Sequence, residues 1–180
     1  MNHHDMTRNM VLAALFAALT AIGAFLQIPT GTVPITLQFL FTALAGLLLG
    51  WKWGAISQLL YVGIGLLGLP VFTQGGGIGY VLQPSFGFLL GLIPAAAVIG
   101  ALTARRTGYL TVLAAVLVGD LILYAVGVPY MYLILHVYMQ SAKTFPALLA
   151  AMLVYVPGDT LKIIVVTALA PVLRRTLVKA

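Results

Sequence analysis

What most constrains this chain is how few charges it has and where it puts them. Six apolar runs, at about residues 8–27, 35–51, 53–69, 81–104, 108–127 and 146–175, follow one another with no long polar block between them. A helix that crosses the hydrocarbon layer needs about 20 apolar residues, and each run approaches that length, although several are short or interrupted by glycine. Only 7% of the 180 residues are charged and 62% are hydrophobic, whereas a soluble domain carries about 25% charged residues. Such a sequence cannot cover itself with a water-facing surface. The expected fold is all-α: a polytopic membrane protein, a bundle of six transmembrane helices, forming one domain over 1–180. No cleavable leader is expected, because the first run is about as long as a span and lacks an evident processing site. The last run is too long for one upright span, and Pro157 within it predicts a kink.

The net charge of +6 would point to nucleic acid in a soluble protein. Here most of the basic residues stand at the ends of apolar runs, so no nucleic-acid partner is expected; the surroundings are a lipid bilayer. With six spans, one side collects Arg8, Lys52, Arg105, Arg106, Arg174, Arg175 and Lys179, and the other has Lys143. The excess of Lys and Arg marks the cytoplasmic side, which makes both termini cytoplasmic. Trp51, Trp53 and Tyr109 fall at the inner boundary and Tyr130, Tyr132 and Tyr138 near the outer one, as an aromatic belt does.

The outer connections are IPTGTVP (28–34), LPVFTQGGGIGY (69–80) and VPYMYLILHVYMQSAK (128–143). Rich in Gly, Pro and aromatics, they read as a lid over a cavity more than as solvated linkers. The run GGGIG (75–79) lacks the Lys-Ser/Thr that a phosphate loop requires. A tight turn is the better reading, with Thr73, Gln74 and Tyr80 beside it able to supply polar contacts.

Three ionisable residues stand inside apolar runs: Asp120 in the fifth, and Asp159 and Lys162 in the sixth. An Asp or Lys at the centre of a membrane helix costs about 2.5–3.5 kcal/mol on the insertion scale, so each is expected to face a partner or a cavity. Counted from the cytoplasmic ends, all three lie in the outer half of the bilayer and can meet at one depth. Asp159 and Lys162, three apart, share a helix face. One reading is a structural ion pair of Lys162 with Asp120 or Asp159. The other is a polar ligand site under the outer loops, where Asp159 accepts N–H bonds and Lys162 neutralises an anion such as a carboxylate. Apolar walls then suit a small amphipathic acid.

In the first run, LAALFAALTAIGAF, Ala13 and Ala17, Ala14 and Ala18, and Ala17 and Ala21 are each four apart. Small residues at that spacing let another helix approach closely, either within this bundle or from a second protein.

Taken together, VPITLQ (33–38), GLPVF (68–72), the glycine run after it and PGDTLK (157–162) resemble, in order and over nearly the whole chain, the BioY family. These are the biotin-specific S components of energy-coupling factor (ECF) vitamin transporters. The resemblance implies six helices, an outward-facing biotin pocket under the outer loops, and a face of Ala13, Ala14, Ala17 and Ala18 that engages a transmembrane coupling subunit. It implies that Asp159 and Lys162 contact biotin. Biotin's ureido group would offer N–H donors to Asp159 and its carbonyl to Gln74 or Gln38, while its carboxylate would meet Lys162; Tyr80 and Asp120 complete the candidate set. Where many members carry a PTGGY-like segment, this chain has PSFGF (84–88). It has no Walker A motif, so ATP hydrolysis falls to paired ATPase subunits. The expected location is the plasma membrane of a prokaryote, and no cofactor is expected beyond biotin as transported ligand.

No enzyme is expected, and neither catalytic nor metal-binding residues: the sequence has no G-x-S-x-G, no H-E-x-x-H and no cysteine, and two of its three histidines lie in the N-terminal tail. The alternative is a proton- or ion-coupled secondary carrier of a small amphipathic carboxylate, with Asp120 and Asp159 as a relay. The lack of an inverted repeat argues against it.

Overall fold

The computed structural model describes residues 3–30, 33–105 and 108–177. Helix α1 (His3–Phe25) runs into a small hairpin in which β1 (Gln27–Ile28) pairs antiparallel with β2 (Ile35–Thr36), Gln27 opposite Thr36. Then come α2 (Gln38–Leu66), α3 (Phe86–Leu102), α4 (Tyr109–Leu133), α5 (Phe145–Ala151) and α6 (Val156–Leu177). By length and composition α1, α2, α4 and α6 are long and apolar enough to cross a membrane, and α3 is a shorter apolar helix. The protein is a helical membrane protein.

Helix α2 is folded back on itself. Gly50 has φ 77°, a left-handed value that favours glycine. On either side of it the chain pairs across a short gap. Thr42 Oγ1 donates to Gln58 Oε1 at 2.9 Å and Gln38 Nε2 to Tyr61 OH at 2.8 Å. Gly46 and Gly54 touch backbone to backbone, such that a Cβ on Gly54 would stand 2.9 Å from Gly46 Cα. Positions equidistant from residue 50 are therefore neighbours, and 38–49 and 51–66 are antiparallel arms. With α1, α3, α4 and α6 this makes six principal helical segments among the described residues, in agreement with the second and third runs of the sequence.

The sixth run differs from expectation. It is α5, a short 3-10 turn over Met152–Val154, and α6. Pro157 does not kink a continuous helix; it sits in the first turn of α6, where a missing N–H costs nothing.

Two ends can be told apart. At the basic end Gly100 packs on Gly50 and Trp51. There Arg174 donates to the carbonyls of Leu47 at 3.1 Å and Thr103 at 3.2 Å. Lys52 and Arg105 stand at this end, as does the start of α1 with Arg8; Arg106 and Lys179 lie outside the described residues. At the loop end gather the β1–β2 hairpin, the segment 67–85 and the stretch between α4 and α6. Ala13 and Ala17 are buried on the side of α1 that packs along α2, whereas Ala14 and Ala18 are exposed. The four alanines expected to form one partner face are thus split, because residues four apart repeat on one side of a helix and residues one apart do not.

Candidate functional site

At the loop end the bundle holds a pocket. Its walls come from the start of α2 and the strand before it (Ile35, Thr36, Gln38, Phe39), from the segment before α3 (Thr73, Tyr80, Ser85), from α3 and α4 (Phe88, Leu92, Leu123, Tyr124), and from the approach to α6 (Met152, Tyr155, Asp159, Lys162). One corner is charged. Lys162 Nζ lies 2.6 Å from Asp159 Oδ1, both side chains being about nine-tenths buried. The same ammonium donates to the Thr36 carbonyl at 3.1 Å, and Tyr124 OH donates to the other carboxylate oxygen, Asp159 Oδ2. The local sequence arranges this. With the helix starting at Val156, Asp159 falls in its first turn, where the helix dipole favours an anion, and Lys162 follows on the same face. A buried pair repays its desolvation only when the remaining lone pairs and protons are also satisfied, and Thr36 and Tyr124 do this here.

The opposite wall is a chain of hydroxyls. Thr73 Oγ1 and Tyr80 OH are 2.8 Å apart, and Tyr80 OH and Ser85 Oγ 3.3 Å. Gln38 is fixed between them and the charged corner: its Oε1 accepts from Thr36 Oγ1 at 2.9 Å while its amide is held by Tyr61, which donates to the Val71 carbonyl at 3.1 Å. Aromatic rings fill the remainder. Phe88 meets Tyr124 edge-on with centroids 5.9 Å apart, and Tyr80 sits 4.5 Å from Phe72. The hydroxyls of Tyr155 and Thr30, 2.9 Å apart, both reach the Val33 carbonyl and tie Thr30 and Val33 to the approach to α6.

Of the residues expected from the sequence, Asp159, Lys162, Gln38 and Tyr80 line this pocket. Gln74 does not: residues 72–75 form a tight turn, with Phe72 and Gly75 bonded to one another at 2.9 and 3.3 Å, and Gln74 is exposed at its tip. Asp120 is not in the lining either. It lies one turn before Tyr124 on α4, within electrostatic reach of both Asp159 and Lys162, and its buried Oδ1 has no hydrogen-bond partner among the described residues. The partner of Lys162 is Asp159. His136 is exposed and stacks on Tyr132 at 5.3 Å.

The BioY family model matches residues 1–179. The chain belongs to the BioY family. It is 54% identical over 141 residues, 77% of this chain and 72% of the relative, to a probable biotin transporter BioY of Lysinibacillus sphaericus. It is 35% identical to the biotin transporter BioY of Thermotoga maritima, over 91% of this chain and 94% of that one. The crystal structure of the S-component for biotin from an ECF-type ABC transporter superposes with a TM-score of 0.85 at 30% identity, over 97% of this chain and 95% of that one. BioY membership places the chain among transport proteins, not enzymes, and the shared unit is the whole bundle.

For a BioY protein the charged corner has one chemical consequence. Ion-pair donor and acceptor are in contact, so they address one end of a ligand and not two distant ends. A ligand carboxylate placed here would add an anion beside Asp159, in a site shielded from water, where like charges repel strongly. A neutral group carrying a carbonyl oxygen next to an N–H uses both side chains without adding charge. The roles expected from the sequence instead have Lys162 meeting the carboxylate of the ligand.

Proposed function

We propose that this protein is the membrane-embedded capture subunit for biotin uptake. It takes biotin from the outer face of a prokaryotic plasma membrane, with both termini in the cytoplasm, and delivers it inward with an ECF coupling subunit and paired ATPases. The observation that carries the reading is the Asp159–Lys162 contact at the pocket's corner. In this reading the ureido edge of biotin lies on the pair, its N–H toward Asp159 and its carbonyl toward Lys162. The ring body packs on Phe88, Leu92 and Leu123, and the valerate extends toward Gln38 and the Thr73–Tyr80–Ser85 hydroxyls. Exposed Ala14 and Ala18 offer the coupling subunit a smooth helix face, since small residues permit close helix approach.

Isothermal titration of the purified protein in detergent, without ATP or other subunits, is expected to show saturable binding of biotin. Absence of saturation by biotin while another vitamin binds would overturn the assignment. The orientation has its own test. Lys162→Ala is expected to weaken biotin and biotin amide alike; a loss confined to biotin would put the carboxylate on Lys162. Uptake that requires the coupling subunit and resists an uncoupler separates this reading from an ion-coupled carrier.

A further inference from the structure

A second cavity lies beside the first at the loop end. Thr30, Met131, Lys143, Leu148, Met152 and Tyr155 are among its walls. Met152 and Tyr155 line the ligand pocket as well, so a single layer of side chains separates the two spaces. The layer is held in place by Tyr155, whose hydroxyl reaches the Val33 carbonyl on the pocket side and Thr30 on the other. Lys143 is exposed, and among the described residues no ion pair holds it. The other basic side chain toward this end, Lys162, is neutralised by Asp159.

We propose that the outer cavity is an approach vestibule in which Lys143 first holds the carboxylate of the incoming ligand, before its head passes Tyr155 and Met152 into the pocket. The inference rests on the reading above, that the ligand is a small amphipathic carboxylate such as biotin. Lys143 is a full positive charge on a face with few other charges, and its attraction for an anion extends over a Debye length of about 8–10 Å. A mouth of one sign of charge with low-dielectric walls raises the local concentration of a counter-charged ligand. Met131, Leu148 and Met152 give the aliphatic tail an apolar floor. The charged corner, hostile to a carboxylate, then receives the neutral head, and the tail leaves Lys143 and follows it into the pocket.

The test is stopped-flow binding to the purified full chain in uncharged detergent, with biotin and with uncharged biotin amide. For Lys143→Gln, biotin association at low ionic strength is expected to slow about threefold, as fits loss of one steering charge. Dissociation should slow by the same factor, leaving Kd unchanged, because the residue acts on the path and not on the bound state. The difference should vanish at high salt, the amide should be indifferent, and Lys143→Arg should behave as wild type. Two results overturn the proposal. Unchanged rates make Lys143 an interfacial lysine facing lipid phosphates. Faster dissociation with unchanged association makes it a contact of the bound carboxylate, with no vestibule. A wild-type protein that fails to bind biotin is a separate result: it overturns the function proposed above, and this inference with it.

Discussion

The two ends of the bundle solve opposite problems with the same apolar alphabet. At the basic end, small residues bring backbones together: Gly46 lies on Ala96, Gly100 on Trp51 and Gly50, and Arg174 joins two carbonyls from different helices. At the loop end, tyrosines and phenylalanines seat on glycines such as Gly87 and Gly127 and line a cavity, and the tyrosine hydroxyls bond to Thr73 and Asp159 around it. One end is a clamp and the other a socket. The difference teaches that in a chain with few polar residues, side-chain size decides where space is left, and hydroxyls decide what that space will accept.

The comparison can be broken most severely at the clamp. A Cβ on Gly46 would stand 2.5 Å from the Ala96 carbonyl oxygen, and backbone cannot yield as a flexible side chain can. Gly46→Leu is expected to abolish folded protein, seen as loss of the monodisperse peak on size exclusion, while Gln74→Leu at the loop end leaves it intact. Next in size is the socket's charged corner. Asp159→Asn or Lys162→Met alone strands a buried charge and should lower stability by about 3–5 kcal/mol. The double variant should recover most of that in a thermal melt yet still bind ligand ten- to a hundredfold more weakly, because charge-assisted bonds of about 1.5–3 kcal/mol are missing. A double variant as unstable as the singles would show that the pair serves the fold.

Smaller effects sharpen the contrast. Arg174→Met removes two charge-assisted bonds at the clamp and should cost about 1.5–3 kcal/mol of stability without changing ligand affinity; an affinity change would mean that the ends are coupled. Ala17→Trp should cost about 1–3 kcal/mol by overpacking the contact with α2. Ala14→Trp, on the exposed side of the same helix, should leave stability and biotin affinity unchanged and reduce co-purification with the coupling subunit. Equal behaviour of the two variants would put both alanines on one surface.

Much of this was legible in the sequence. Charge scarcity and run lengths announced the crossing helices, and the GWKWG segment (50–54) marked the turn of α2, because Lys and Trp prefer the interface. Asp159 and Lys162 stood out because a charge in an apolar run demands a reason. Tyr124, Tyr155, Thr36, Ser85 and Phe88 carried no such mark. A tyrosine in an apolar run looks like core or interface, and only the approach of α4 to α6 shows that Tyr124 reaches a carboxylate. Gln74 misled because polarity alone does not say which way a turn points. Pro157 predicts a kink from sequence because proline permits either a bend or a helix start, and here it stands in the first turn of α6.

The shortness of α2's first arm sets how far the pocket lies from the basic end. Residues 38–49, at 1.5 Å per residue, reach about 18 Å, well short of a hydrocarbon layer of about 30 Å. Gln38, at the arm's far end, lines the pocket. The pocket therefore lies one short arm, about 18 Å, from the basic end of the bundle. The floor under the pocket is about as thick as that arm is long.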